Sequence, residues 1–146
     1  MRVHQSIEVA APPERIWPLL VEPDSVLKWY PTLKRYEYED GGKRGPGARV
    51  YAEERASGML MKLHFEIGDW AENRALSLHM TSGTGVKGYD QRWTVEPLAA
   101  GSRFTFDEHV ELPYGVLGRL IGRVGQRSSE GHVREMLALL KGLAEA

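Results

Sequence analysis

Residues 59 to 110 hold four segments in which apolar and polar side chains alternate, and this run constrains the fold more than anything else in the chain. In MLMKLHFEI the apolar set is Met59, Met61, Leu63, Phe65 and Ile67; in ALSLHM it is Leu76, Leu78 and Met80. In GYDQRWTVE, Tyr89, Gln91, Trp93 and Val95 share one phase, as do Phe104, Phe106, Glu108 and Val110 in RFTFDEHVE. A period of two describes strands with one face on a core and one in water. The connections DWAENR, SGTG and PLAAG are short enough only for antiparallel neighbours.

The flanking segments extend that pattern. RVHQSIEVA places Val3, Ile7 and Val9 on one side of a first strand, and residues 33 to 39 and 48 to 56 read as strands around the turn-rich DGGKRGPG. Between them, Pro12 and Pro13 suit a helix entry ahead of Ile16, Trp17 and Leu20, and PDSVLKWY predicts a second short helix ended by Pro31. After Pro113 the chain reads as helix to about residue 144. The expected fold is α+β: a curved antiparallel sheet of about seven strands, two short helices after the first strand, and one long C-terminal helix. With 146 residues, 42% of them hydrophobic, the chain predicts a single domain over 1–146.

Composition narrows the function classes. Nineteen basic and 20 acidic residues give a net charge of −1, so no global positive field recruits nucleic acid. The absence of cysteine excludes disulfides, thiolate ligands and a cysteine nucleophile. No basic N-terminal segment precedes an apolar run, and no 18-residue apolar stretch occurs, so stable membrane insertion is not expected and the cytoplasm is the default location.

The long helix carries an anomaly. At roughly 100° per residue, Val133, Met136, Leu140 and Leu143 define the buried face of its rear half. Carried forward, that face is occupied by Ser129, Gly125, Gly122 and Gly118, with Ile121 at its edge. Each glycine costs about 1 kcal/mol in a helix interior. Either the backbone comes very close to its neighbour, or space is left for a ligand. Facing strands rich in Met, Phe, Trp and Tyr would fill a close approach poorly, which favours a cavity.

Element order, the stretch IEVAAPPERIWPLLVEPDSVLKWYP, the later QRWTVEPLAAGSRFTF and the final helix together resemble the START-like helix-grip superfamily. Within it the chain is most similar to the SRPBCC proteins called polyketide cyclase/dehydrase or lipid-transport-like. The resemblance implies a sheet gripping the C-terminal helix around an apolar small molecule such as a lipid, polyketide or isoprenoid, bound by a carrier or binding protein. A cyclase/dehydrase-like enzyme and, more weakly, a co-chaperone or partner-binding module are the alternatives, because fold does not determine function.

Candidate residues follow. Met61, Leu63, Phe65, Leu78, Trp93 and Phe106 form the apolar wall of the expected cavity, with Trp29 from the second short helix, and Gly118, Ile121, Gly122, Gly125 and Ser129 face it. Pairing the last two strands across PLAAG brings Tyr89 and Gln91 near Glu108, the one acidic residue in the inward phase of those four strands. Buried, Glu108 with Tyr89 would anchor a ligand's polar end or act as an acid/base; at an open sheet end it would simply be solvated. GTGVKG, Gly83 to Gly88, matches GxGxxG but precedes a strand, so it is a cavity-rim connection or a hairpin turn and not a dinucleotide site. His64 and His79 lack a third ligand, so neither metal nor cofactor is expected, and His132 beside Glu135 reads as a boundary residue. Arg119, Arg123 and Arg127, spaced by four, form either a solvated face or a transient contact with a membrane or protein.

Overall fold

The computed structural model describes residues 1–146. Strand β1 (Arg2–Val9) leads to helices α1 (Pro13–Val21) and α2 (Pro23–Trp29), then to β2 (Leu33–Tyr38), β3 (Arg49–Ala56), β4 (Met59–Ala71), β5 (Ala75–Gly83), β6 (Gly88–Leu98) and β7 (Gly101–Glu111). Helix α3 (Gly115–Glu145) closes the chain. The strands form one antiparallel sheet in the order β1-β7-β6-β5-β4-β3-β2. Every neighbour except the β1–β7 pair is consecutive in sequence, as the short connections require.

The sheet curls. Its β4–β5 ladder slips register between His64 and Phe65 and between Ile67 and Trp70, and such irregularities bend a strand and increase its twist. The concave face carries the alternating set: Leu63, Ile67, Leu76, Trp93, Phe104 and Phe106 are among the fully buried side chains. Glycine is obligatory at one edge of this face. Gly101 turns β6 into β7 at φ +135° against the end of β1, where a Cβ would lie 2.2 Å from the Val9 carbonyl oxygen.

Helices α1 and α2 seal one end. Ile16, Leu20, Val26 and Trp29 are buried, and the Trp29 indole donates to the Leu19 carbonyl at 2.7 Å while its ring meets Trp93 and Phe104 edge-on. Pro18 lacks a helical N–H, but its carbonyl accepts from the Glu22 amide at 3.0 Å and ends α1 cleanly.

In α3 the rear half is packed by Val133, Met136, Leu137, Leu140 and Ala144. Side chain to backbone bonds tie the helix to β1: Gln5 Nε2 to the Glu130 carbonyl (2.8 Å) and Lys141 Nζ to the Glu8 carbonyl (3.0 Å). The expected face needs correction at Leu143, which is 37% exposed. The buried face runs from Gly118 and Met136 through Gly122, Leu140 and Val133 to Ala144 and Leu137, and Leu143 and Gly125 fall roughly 20° beyond its Gly118/Met136 edge. Leu137 and Ala144 are buried in Leu143's stead.

Candidate functional site

Glu108 lies in the interior and not at a solvated sheet end: it is 8% exposed and stands opposite Gln91 in the β6–β7 ladder. Its Oε2 accepts from Gln91 Nε2 (2.9 Å) and lies 3.1 Å from the Tyr89 hydroxyl and 3.4 Å from that of Tyr30. Trp93 fixes the orientation of Gln91. An indole N–H can only donate, so the atom it reaches at 2.9 Å is Gln91 Oε1 and the amide nitrogen faces Glu108 and the phenols. Tyr30, the residue that ends α2, accepts from the same amide at 2.7 Å.

A second carboxylate joins from across the concave face. Glu54 of β3 is buried, and its Oε1 lies 2.8 Å from the Tyr89 hydroxyl. Its Oε2 accepts from Thr32 Oγ1 at 2.9 Å, and that hydroxyl is 3.2 Å from His132 Nε2 on α3. Tyr89 is therefore shared by two carboxylates and has one proton to give. Burial, reinforced by the charge of Glu54, pushes the Glu108 carboxyl up to about 7, against the lowering effect of hydrogen bonds from Tyr89, Gln91 and Tyr30. Burial raises Glu54 as well, opposed by Tyr89, Thr32 and His132. The Tyr30 and Tyr89 phenols are held well above their usual range by burial and the neighbouring carboxylates, so they remain donors. Two carboxyl groups thus share an apolar surround in which neither forms an ion pair, and the cluster retains a proton it can release near neutral pH.

Around this cluster the interior is nearly full. Leu63, Phe65, Leu78, Tyr89, Gln91 and Trp93 border one cavity of about 10 Å³, completed by Tyr30, Leu33, Tyr36, Ala52 and Glu54. Trp29 and Phe106 pack beside it and Met61 is buried on the same face. The helix residues expected to face this wall do not. A separate groove of about 830 Å³ lies between the front of α3, the end of β7 and Lys87 of the β5–β6 connection; Gly118 and Gly122 line it, and the two spaces share no residue.

The three glycines divide by cause. At Gly118 a Cβ would stand 2.1 Å from the Pro113 carbonyl oxygen, so the close approach is to the strand-to-helix connection. At Gly122 it would touch only Leu112 and Met1 at 3.7 Å, and at Gly125 nothing. Ile121 is mostly exposed and the Ser129 hydroxyl meets the Met1 sulfur at 3.4 Å. The single shared cavity is thus corrected, because the front half of α3 rests on Met1 and Leu112 at the sheet end and not over Trp93 and Phe106.

Other candidates resolve simply. Gly83 to Gly88 forms the β5–β6 hairpin, with Lys87 reaching the groove. His64 pairs in register with Ser82 and bonds Glu39, while His79 bonds Asp90, so the two imidazoles do not meet. No group of three or more His, Asp or Glu side chains is placed to hold a metal ion. Sequence reasoning missed Glu54, Tyr30 and Thr32. Glu54 was within reach, since it follows Val50 and Ala52 in the inward phase of β3.

A curled seven-stranded sheet, two short helices after β1 and a long final helix agree with the family profile described as polyketide cyclase / dehydrase and lipid transport, which matches residues 1–145. The chain belongs to this family. Among proteins of curated function none matches. Solved structures that share this fold include three of low sequence identity. The protein TTHA0849 from Thermus thermophilus is 19% identical with a TM-score of 0.82, covering 99% of this chain and 97% of its own. A START superfamily protein from Mycobacterium smegmatis is 20% identical at TM-score 0.74, covering 97% and 98%. The ZhuI aromatase/cyclase from Streptomyces is 18% identical at TM-score 0.72, covering 99% and 93%. At these identities the likeness extends to the fold. No helix of this family member is long and apolar enough to cross a membrane.

Proposed function

We propose that the protein binds an apolar small molecule carrying a carbonyl or hydroxyl at one end, as a carrier or binding protein of the cytoplasm. The ligand's polar end sits at Glu108, Tyr89 and Gln91 and its body lies against Trp93, Phe65 and Leu63. The observation that carries this reading is Glu108 itself, a hydrogen-bonded carboxyl within an aromatic interior. A few convergent polar groups in an apolar surround are how small-molecule sites fix orientation. The small cavity holds about one water-sized sphere, so a ligand must push an element outward. The elements that border it, and that would have to give, are the end of α2 at Tyr30 and strands β2 to β6.

One observation favours the enzymatic reading, a cyclase/dehydrase: two buried carboxyl groups, Glu108 and Glu54, flank the Tyr89 hydroxyl at 3.1 and 2.8 Å, an arrangement in which burial pushes Glu108 up to about 7. In that reaction an ionised Glu108 takes a proton from a methylene between two carbonyls. The resulting carbanion forms a carbon–carbon bond to another carbonyl, whose oxygen takes a proton back from the cluster. Glu108, ionised again, removes the second proton of the former methylene carbon and returns it to the hydroxyl, which leaves as water as the carbon–carbon double bond forms.

Native mass spectrometry of the purified protein identifies a co-purified ligand, and Glu108→Gln separates the readings. For a carrier, affinity changes several-fold and Tyr89→Phe behaves alike. For an enzyme, turnover is abolished while affinity persists. A carboxylate carbon titration placing Glu108 in the ordinary range, unmoved by ligand, removes it from both.

A further inference from the structure

The front half of α3 has three faces. The glycine face, Gly118 and Gly122, turns inward. Arg119 and Arg123 flank it, roughly 80° and 120° away, and line the groove, while Arg127 lies roughly 160° away at the near edge of the third face; none of the three forms a salt bridge or side-chain hydrogen bond. The third face points away from the protein and holds Val116, Leu117, Leu120, Ile121 and Val124, each 53% to 83% exposed. Five aliphatic side chains on one helical stripe, spanning roughly 140° of arc, form an unusual surface for a helix packed against a protein.

Charge decides what covers that stripe. From Gly115 to Ser129 there are three arginines and no acidic residue. The positive flank continues off the helix, because the adjoining groove is lined by Arg119, Arg123, Lys87 and His109, and its one carboxylate, Glu111, lies 3.5 Å from Lys87. A second copy of this chain docking stripe to stripe would bring two sets of unpaired arginines together. An anionic surface with an apolar interior complements both features.

We propose that residues 115–129 dock on an anionic lipid bilayer, the aliphatic stripe entering the acyl boundary and the arginine flank, with the groove, taking lipid phosphates. The helix lies in the interface and does not span it, in keeping with its hydropathy. Docking uses the half of α3 that the core does not hold, and it stands whatever the interior site binds.

Flotation tests this with phosphatidylcholine vesicles, with and without phosphatidylglycerol. Wild-type protein should float with the anionic vesicles only and be released by added salt. Changing Arg119, Arg123 and Arg127 together to Gln should weaken binding by about two orders of magnitude. Leu120→Ser with Val124→Ser should weaken it at least about tenfold, the cost of withdrawing two aliphatic side chains from the acyl region. All five residues are exposed, so thermal midpoints should stay unchanged and show that the variants fold. Equal flotation of wild type and variants, or none by any, overturns the proposal. So does a dimer seen by light scattering that the Leu120/Val124 variant abolishes while wild type ignores vesicles.

Discussion

Helix α3 places the same kinds of side chain in opposite environments. In its rear half Val133, Met136, Leu137 and Leu140 are no more than 2% exposed, whereas in its front half Val116, Leu117, Leu120, Ile121 and Val124 are more than half exposed. Aliphatic content does not separate the halves. What differs is the residue type on the line that faces the protein: glycine at 118 and 122, aliphatic at 133, 136 and 140. A helix buries the face its partner fits. The rear half fits β1 and the two short helices, while the front half fits a narrow seat made by Pro113, Leu112 and Met1. The difference teaches that an apolar stripe on a long helix belongs to the core only where a partner surface lies opposite it.

The sharpest break of this comparison comes from matched truncations. Leu140→Ala should cost about 2–5 kcal/mol, the usual range for a buried leucine that leaves a cavity. Leu120→Ala should stay within about 0.5 kcal/mol, as expected at an exposed site. Urea unfolding of both variants measures the contrast, and equal losses would mean that the front half is packed in solution.

A second prediction concerns the cluster that touches α3 where the two halves meet, through His132 and Thr32. Glu108 has its carboxyl raised from 4.5 to about 7, so the folded state binds more protons than the unfolded chain between those values. Its contribution is therefore fully present below about pH 4.5 and lost as pH rises through about 7, a change of about 3 kcal/mol. Glu54, also raised, acts with the same sign. Stability measured from pH 5 to 8 should fall less steeply in Glu108→Gln than in wild type. An unchanged slope would remove Glu108 as its source.

The smallest effects sharpen the comparison within the front half. Gly118→Ala should destabilise by about 1–3 kcal/mol, because its Cβ meets backbone at 2.1 Å and the connection must move. Gly125→Ala meets nothing and should stabilise by up to about 1 kcal/mol through helix propensity alone. Thermal melts of the two variants should therefore move in opposite directions.

Much of this architecture was legible in the chain. Alternation marked the four central strands, short connections made them antiparallel, and Pro12, Pro13 and Pro31 bounded the two short helices. The nearness of Gln91 and Glu108 also followed, because a hairpin fixes which residues oppose one another. Local periodicity and turn length are properties of neighbouring residues, and sequence carries them directly.

Two matters were decided only by tertiary structure. The first is the second carboxylate. Glu54 and Tyr89 belong to β3 and β6, three strands apart in the sheet, a span of roughly 14 Å if it were flat. They meet at 2.8 Å because the curled sheet turns both side chains toward one interior point, and curvature is a sum of small twists and bulges that no single segment displays. The second is the seat of the glycines. Periodicity correctly put Gly118 and Gly122 on the inward face, but inward at that point means the Pro113 carbonyl, Leu112 and Met1, and only the path of the chain from β7 into α3 determines that. Sequence determines which face of an element is apolar or bare; the packed fold decides what lies opposite it.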